Sequence, residues 1–432
     1  MSNGLKNQLI QRAADAFQRR AYGEAADICG QVLNQFGEEA NALMMLGAMR
    51  MGAGDTAGAI ELYERARAAM PTHVHVLVNL GAAYRASGRL HEARIVLEEA
   101  LALDRRLAVA HNNLGNVLLD LGDRAGAKRE YERAVVGQAN YAEPVAALAR
   151  IAEEEHRLDD ARRLSERALL LAPNSVSGRL TRARVAFRSG EAEKAIGDLE
   201  ALLRGSDISP KNRVVAEGYL GEAYDRVGRI ADAFAAFGRA NALLYAQHAP
   251  SFAADRGPVS LDTIMRLNAF VGGADVPAWA TAAPTTETTP VFLVGFPRSG
   301  TTLLDQILAS HPDVTTLEER DTLGEAAAAL IGSGEALDRW EALSDGEIER
   351  LRSSYWQTAR AGLGGAPTKR VFVDKLPLNA VFLPVIYRLF PAARVVFAVR
   401  DPRDVVLSCY QQRFVTNAAM FQLLRLDTAV AY

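Results

Sequence analysis

The stretch Val291–Asp313, VFLVGFPRSGTTLLDQILASHPD, decides the fold of the second half of the chain. Its first five residues, Val291–Gly295, are apolar or glycine and predict a short buried strand. A loop that ends at Gly300 follows, and the amphipathic run from Leu303 to Ser310 predicts a helix. A strand, a glycine-bounded loop and a helix in this order present backbone N–H groups and a helix N-terminus to an anion. The stretch therefore predicts a phosphate-binding loop, the alternative being a tight strand–helix turn with no ligand.

The loop departs from the ATP-binding pattern G-x-x-x-x-G-K-[ST] at one position. Gly295 and Gly300 have the right spacing and Thr302 stands at the Ser/Thr position, but Thr301 replaces the lysine. That lysine normally reaches the β- and γ-phosphates, so its replacement disfavours an ATP- or GTP-dependent phosphotransferase. A cation is found inside the loop instead, at Arg298. The pattern favours a nucleotide with a short 5′ anionic group and no magnesium-bound triphosphate.

Length and composition set the broad class of the protein. The 432 residues predict two or three domains, and a net charge of -3 gives no reason to expect a nucleic-acid partner. Two cysteines are too few for a disulfide framework or a zinc site, and the seven histidines are scattered, so no metal is predicted. The N-terminus has no secretory signal and the sequence has no apolar run long enough for a membrane span. A reducing, cytoplasmic location is the expectation.

The first half repeats with a period of 34 residues. The recurring alanines are Ala25, Ala59, Ala93, Ala127, Ala161 and Ala195, and Ala233 follows after 38 residues. Each unit predicts two short helices joined by a turn, and such pairs bury their apolar faces only by stacking into a superhelix. Seven units are predicted over residues 1–246, starting near Lys6, Ala40, Val74, Ala108, Ala142, Val176 and Val214.

The period and the recurring positions resemble tetratricopeptide repeats, whose arrays offer a concave groove to a peptide or a partner protein. The resemblance implies such a partner for this chain. Asn79, Asn112, Asn113 and Asn116 are candidates to hydrogen-bond an extended peptide backbone, or are solvated polar residues on helix faces. A spacer or a dimerisation arm is the alternative role for the array.

Residues 247–290 predict a linker between the two halves. Leu261 to Val271 predicts one helix with Ser260 as its N-cap, and Thr281 to Pro290 (TAAPTTETTP) predicts an extended connector.

Residues 291–432 predict a parallel-sheet α/β domain. Arg370–Asp374 predicts a second buried strand and Arg394–Val399 predicts a third strand, which makes three strands in all. Intervening helices are expected over Glu319–Ile331, Asp345–Leu363 and Leu378–Phe390. Strands that alternate with helices predict a parallel sheet, and ligands bind beyond the carboxyl ends of its strands. The three predicted ends carry the loop, Asp374-Lys375 and Arg400-Asp401, which predicts an active site there.

Four motifs of this half, PRSGTTLL, HPDV with Glu318-Glu319 after it, VDKLPLN and VRDPRDVVLSCY, resemble those of the sulfotransferase superfamily. The pattern is similar to bacterial sulfotransferases fused to tetratricopeptide repeats, and tyrosylprotein sulfotransferases share the motifs. The resemblance covers Pro290 to Phe414, and the fused repeats extend it over most of the chain. It implies 3′-phosphoadenosine 5′-phosphosulfate as the co-substrate and a hydroxyl group as the acceptor. An N-terminal tetratricopeptide α-solenoid followed by a P-loop-like α/β sulfotransferase domain is the expected architecture.

The resemblance also implies which residues hold the nucleotide. Those expected to hold the 5′-phosphosulfate are the loop residues Arg298, Ser299, Gly300, Thr301 and Thr302. Arg400 and Ser408 are expected to hold the 3′-phosphate across a strand–helix junction. Alternatively, Arg400 is an ion-pair partner of Asp404 and Ser408 is an ordinary helix serine.

The catalytic residues implied by the resemblance are Glu319 as the base and Lys375 as the transition-state cation. Transfer of a sulfuryl group needs a base for the acceptor proton and cations for the developing charge. Lys375 and Arg298 are expected to stabilise the bridging and sulfuryl oxygens. The alternatives are Glu318 as the base and a structural Lys375–Asp374 pair.

Members of the family continue for roughly another hundred residues beyond the point that corresponds to Tyr432, so we expect a chain truncated at its C-terminus. The leading hypothesis is a cytoplasmic sulfotransferase whose repeats bind a protein or peptide. The alternative hypothesis is an interaction protein that carries an inactive or incomplete sulfotransferase domain. The acceptor is open among protein tyrosine, glycan, lipid and small-molecule hydroxyls.

Overall fold

The computed structural model describes residues 2–205, 208–252, 254, 257–273, 289–332, 334–338 and 340–432. The chain divides into two compact units, Met1–Ile208 and Ser209–Tyr432. The predicted connector from Thr281 to Pro290 lies almost wholly outside the described residues.

The first unit consists of helices that pack in sequential antiparallel pairs. Its twelve described helices are α1 Ser2–Gln18, α2 Tyr22–Phe36, α3 Ala40–Gly52, α4 Thr56–Ala69, α5 Val74–Ala86, α6 Leu90–Leu103, α7 Ala108–Asp120, α8 Arg124–Gly137, α9 Ala142–Glu154, α10 Leu158–Leu171, α11 Val176–Arg188 and α12 Ala192–Leu203. The recurring small residues explain the pairing, because a Cβ atom on Gly115 would lie 2.7 Å from the ring of Tyr131 on the next helix. The predicted solenoid of helix pairs is confirmed.

The seventh helix pair belongs to the second unit. Its helices are α13, Pro210–Arg226, and α14, Ile230–Phe252. The single helix α15 follows at Leu261–Gly273, and Ser260 accepts the N–H of Thr263 at 3.2 Å, as its predicted N-cap role requires.

A four-stranded parallel sheet forms the centre of the second unit. Its strands are β1 Val291–Gly295, β2 Val314–Glu318, β3 Val371–Lys375 and β4 Arg394–Ala398, in the order β2-β3-β1-β4. The helices around it are α16 Thr301–Ala309, α17 Gly324–Ile331, α18 Gly334–Asp338, α19 Asp345–Leu363, α20 Leu383–Leu389, α21 Pro402–Gln411, α22 Ala418–Gln422 and α23 Leu426–Ala431. One side of the sheet packs on a core that includes Phe292, Phe372 and Tyr355. The predicted parallel α/β domain is confirmed.

Three details of the prediction were wrong. The sheet has four strands rather than three. The sequence did not reveal β2 (VTTLE), because this strand lies at the edge of the sheet and has only one fully buried residue, Leu317. The helix predicted from Glu319 begins at Gly324, since the backbone of Glu319 is in the left-handed region with φ of 48°. The helix predicted over 378–390 is a 3₁₀ segment, Pro377–Phe382, followed by α20, which Pro384 opens because it lacks the N–H that a helix interior uses.

Candidate active site

The loop between β1 and α16 has a left-handed turn at each of two residues. Arg298 has φ of 69° and Gly300 has φ of 96°, and the N–H of Ser299 donates to the carbonyl of Phe296 at 3.1 Å. Gly295 is required by close approach, since a Cβ atom there would lie 2.8 Å from the carbonyl oxygen of Ala398 on β4. Among the residues that the structure describes, no side chain caps the N-terminus of α16. The first N–H groups of this helix therefore lie open at the end of the loop, which suits an anion.

A cleft of about 500 Å³ begins at this loop and runs along the carboxyl edge of the sheet. Polar residues on its walls come from the loop, from the end of β2 and from the end of β4: Arg298, Gly300, Thr301, Thr302, Glu319 and Arg400. Apolar residues supply much of the remaining wall: Pro297, Leu376, Pro377, Leu378, Phe414 and Met420, together with Asn417. Six of the nine predicted site residues thus share one cleft.

Ser299 is the predicted loop residue that does not line this cleft. Its hydroxyl oxygen is buried and has no hydrogen-bond partner among the described residues. The same serine lies beside Arg400 in a smaller adjoining pocket of about 250 Å³. A buried hydroxyl without a partner among the described residues, in a pocket that Arg400 also lines, fits a site that accepts phosphate or sulfate oxygens.

Lys375 joins the ends of β2 and β3. Its ammonium Nζ lies 2.9 Å from the Oε1 atoms of both Glu318 and Glu319, and its side chain is fully buried. The N–H of Glu319 also donates to the Lys375 carbonyl at 2.7 Å, which fixes the strained Glu319 backbone. Burial by itself would lower the pKa of Lys375, but the hydrogen bonds and charges of the two glutamates outweigh it and raise that pKa above its usual value. Lys375 is therefore held as a cation between two carboxylates.

Asp374 does not pair with Lys375, which removes one alternative for that lysine. Successive residues of a strand point to opposite faces, so Asp374 points away from Lys375 into the core. There its Oδ2 accepts the Thr322 hydroxyl at 2.7 Å. Burial raises the pKa of Asp374 to about 6, although the hydrogen bonds that it accepts act in the opposite direction.

Arg298 contacts both Arg400 and Ser408. The Nε of Arg298 donates to the Ser408 hydroxyl at 3.1 Å, and Arg400 donates to the Arg298 carbonyl at 3.4 Å. Arg400 also lies 3.6 Å from Asp404, but half of its side chain is exposed. Arg400 and Ser408, the two residues expected at the 3′-phosphate, thus both contact the loop residue Arg298.

Sequence reasoning missed Asp305 of α16. This residue is only 5% exposed, and its Oδ1 has no hydrogen-bond partner among the described residues. Burial raises its pKa, while the charge of nearby Lys375 lowers it. The signal was available, because Asp305 follows Thr301 by four residues and so shares the helix face that meets the sheet.

The candidate peptide-binding asparagines of the first unit have different environments. Asn112 is only 7% exposed, and the Oδ1 of Asn116 accepts the Tyr131 hydroxyl at 2.8 Å. Internal packing therefore uses these two residues. Asn79 and Asn113 are half-buried on α5 and α7 and remain the candidates for a peptide contact.

Neither a metal cluster nor a membrane-spanning helix is found in the described part of the chain. No cluster of three His, Cys, Asp or Glu side chains suits a metal ion there. None of the helices described is long and apolar enough to cross a membrane.

Comparison with known families gives matches in both halves. A model described as "Sulfotransferase family" matches residues 290–432. Three models described as "Tetratricopeptide repeat" match residues 38–106, 108–135 and 148–217.

Individual relatives share shorter stretches with the chain. It is 36% identical over 135 residues to an uncharacterized protein of Aquifex aeolicus, covering 30% of this chain and 18% of that protein. It is 28% identical over 123 residues to a putative protein-tyrosine sulfotransferase of Caenorhabditis briggsae, covering 28% of this chain and 43% of that protein. The alignments thus span less than half the length of these relatives. A solved structure from a study of Pseudomonas aeruginosa PilF is 22% identical with a TM-score of 0.43, covering 49% of this chain and 96% of that one.

Proposed function

Because residues 290–432 belong to the sulfotransferase family and tetratricopeptide repeats precede them, we propose that the chain transfers a sulfuryl group from 3′-phosphoadenosine 5′-phosphosulfate to a hydroxyl acceptor. One observation carries the proposal: the cleft at the carboxyl edge of the sheet gathers the phosphate-type loop, Arg400 and Glu319 around a single volume. These groups match the two anionic ends of the co-substrate and the base that the reaction needs.

The nucleotide would lie with its 5′-phosphosulfate on the loop and the N-terminus of α16. Arg298 and the N–H groups of Thr301 and Thr302 suit three equatorial oxygens, because they offer a planar cation and aligned dipoles. Arg400 and Ser408 would hold the 3′-phosphate, and the bond between Arg298 and Ser408 links the two phosphate sites. The buried hydroxyl of Ser299, which has no hydrogen-bond partner in the described part of the chain, supports an anion beside the loop.

The reaction is an in-line displacement at sulfur. The bond from sulfur to the bridging phosphate oxygen breaks as the bond from sulfur to the acceptor oxygen forms, and the acceptor proton passes to Glu319. Lys375 and Arg298 would stabilise the charge that develops on the bridging oxygen. Lys375 would also position the base, since its Nζ lies 2.9 Å from the Glu319 carboxylate.

A tyrosine-like hydroxyl is the acceptor that we propose. Leu376, Leu378, Phe414 and Met420 give the cleft an apolar wall near Glu319, which suits an aromatic ring better than a polyhydroxylated sugar. A relative named as a putative protein-tyrosine sulfotransferase supports the same class. We further propose that the repeats bind the protein or peptide partner. We also propose that the protein works in a reducing cytoplasm, because such a compartment keeps thiols like those of Cys29 and Cys409 reduced.

Transfer of labelled sulfate to tyrosine peptides tests the proposal. Glu319→Gln keeps the size of the side chain and removes the base, so we expect a rate loss of about 10² to 10⁴-fold. Glu318→Gln is the matched control, since Glu318 makes an equal contact with Lys375 and is the rival base. Full activity of Glu319→Gln, with the loss in Glu318→Gln instead, would transfer the role of base to Glu318. Absence of transfer to any hydroxyl acceptor by the wild type would reject the function.

A further inference from the structure

The seventh helix pair, α13 and α14, contacts the segment that forms one wall of the cleft. That segment, residues 412–417, connects α21 to α22 and contains Arg413 and Phe414. We propose that this helix pair is a positioning element for the nucleotide cleft and that Arg413 is the residue by which it acts. The inference rests on the proposed function of the cleft.

Arg413 fills a socket on α13, formed by Gly218, Tyr219 and Glu222. Its Nη2 lies 3.2 Å from Glu222, and its guanidinium stands 4.7 Å from the centre of the Tyr219 ring. A Cβ atom on Gly218 would lie only 1.8 Å from the Arg413 Nη1 atom. Only glycine at position 218 leaves room for the guanidinium in this place. Arg413 is thus held by an ion pair with Glu222 and by the ring face of Tyr219, in the space that Gly218 leaves open.

The socket includes the position at which an earlier repeat keeps a candidate residue for a peptide contact. In the 34-residue register, Gly218, Tyr219 and Glu222 stand to Leu220-Gly221 as Asn112, Asn113 and Asn116 stand to Leu114-Gly115. Of these three asparagines, Asn113 remains a candidate for a peptide contact, and Tyr219 is its counterpart. In the seventh pair this position contacts Arg413 of the chain itself.

The second helix of the pair, α14, holds the neighbouring helices α21 and α22. Asn241 is buried, and its Nδ2 donates to the Tyr410 carbonyl at the end of α21 at 2.8 Å. Phe234 stacks on the Tyr410 ring with centroids 5.4 Å apart, and Tyr245 stacks on Phe421 of α22 at 4.7 Å. Both ends of the segment 412–417 are therefore anchored to the same helix pair.

The anchored segment and the helices on either side of it, α21 and α22, carry groups of the proposed nucleotide site. Ser408, the partner of Arg298, lies on α21 two residues before Tyr410. Phe414 and Met420 line the cleft itself. A shift of Arg413 out of its socket would therefore move a wall of the cleft and the serine expected at the 3′-phosphate. Arg413 lies outside the residues that line the cleft, so its role is to position them.

Two variants and one control test the inference in the full chain. Arg413→Ala empties the socket, and Gly218→Ala displaces the guanidinium while it raises the helix propensity of α13. The control is Gly197→Ala on α12, an exposed helical glycine where an added Cβ atom would meet nothing within 4 Å. The first readout is the Kd for 3′-phosphoadenosine 5′-phosphate by calorimetry. The second readout, on ligand-free protein, is amide hydrogen exchange over residues 403–422.

We expect each variant to weaken nucleotide binding at least fivefold and to speed exchange over residues 403–422, while Gly197→Ala changes neither. The melting temperature of Gly218→Ala should be no lower than that of the wild type, which separates positioning from general destabilisation. Because both variants act on one contact, the double variant should bind no more weakly than Arg413→Ala alone.

Unchanged Kd and unchanged exchange in both variants would overturn the inference. The exchange readout also separates it from the proposed function. If the wild type fails to bind the nucleotide, the proposed function fails. The exchange data then decide alone: faster exchange confined to Arg413→Ala and Gly218→Ala supports the positioning role, and unchanged exchange rejects it.

Discussion

At the residue scale, the adjacent pair Asp374-Lys375 shows how one strand serves two environments. The buried Lys375 meets two carboxylates at 2.9 Å, and one of them, Glu319, lines the cleft. Asp374 points into the core, where it accepts the Thr322 hydroxyl. The sequence predicts that the pair lies at a strand end, because RVFVD is a clear apolar run. It could not predict the partners, since Glu318 and Glu319 reach Lys375 only through β2, a strand too polar to be recognised.

The buried Asp374 makes the stability of the second unit depend on pH. Its pKa of about 6 lies above the ordinary value of 3.8, so the folded state binds more protons between these values. Stability from this group is therefore present below pH 4 and is lost as pH rises through about 6. This rise of the Asp374 pKa by about 2 corresponds to about 3 kcal/mol of unfolding free energy. We expect Asp374→Asn, which keeps an acceptor for Thr322, to remove this loss and to be more stable than the wild type by about 2 to 3 kcal/mol at pH 7.

Urea unfolding followed by tryptophan fluorescence from pH 4 to 8 measures this effect. Trp340 and Trp356 are buried in the second unit, so their fluorescence reports on the unfolding of that unit. Asp313→Asn, at an exposed position just before β2, is the matched control and should keep the wild-type slope. The same pH slope in Asp374→Asn as in the wild type would contradict the assignment.

At the element scale, the elements near the loop could be predicted from local sequence patterns. The site could not, because it depends on contacts between residues far apart in the sequence. The strand predicted at Val291–Gly295 is found with the same bounds, and the helix after it begins two residues earlier than predicted, at Thr301. These elements are set by an apolar run and by glycines, which are local signals. The bond between Arg298 and Ser408 joins residues 110 positions apart. Only the resemblance to known motifs could predict that both residues belong to one site, since no periodicity in the chain indicates it.

At the scale of the whole molecule, the boundary between compact units falls inside the repeat array. The period alone places the end of the array near residue 246, whereas the contacts divide the chain between Ile208 and Ser209. The reason is chemical: the seventh pair keeps the spacing of a repeat, but its exposed face carries the socket for Arg413 and the rings that meet Tyr410 and Phe421. We propose that the functional second domain begins with α13.

Two fragments test this boundary. A fragment of residues 209–432 keeps every contact of α13 and α14 with the cleft segment, so we expect it to melt cooperatively and to bind the nucleotide within threefold of the full chain. A fragment of residues 247–432 exposes the rings of Tyr410 and Phe421 and leaves Arg413 without its socket. We expect the shorter fragment to aggregate or to bind at least tenfold more weakly, as measured by calorimetry after gel filtration. A monomeric shorter fragment with the affinity of the full chain would contradict the proposed boundary.

The central claim is that the cleft holds a nucleotide with both a 5′ and a 3′ anionic group. Calorimetric titration of the full chain with 3′-phosphoadenosine 5′-phosphate tests it most directly, with adenosine 5′-phosphate and magnesium-ATP as matched ligands. We predict micromolar affinity, about −8 kcal/mol, for the first ligand, at least tenfold weaker binding of the second, and no binding of magnesium-ATP. Arg298→Ala should bind neither 3′-phosphoadenosine 5′-phosphate nor adenosine 5′-phosphate. Arg400→Ala should bind these two ligands equally weakly, because it lacks the contact with the 3′-phosphate that distinguishes them. Equal affinity of the wild type for the two adenosine ligands, or tighter binding of magnesium-ATP, would contradict the account.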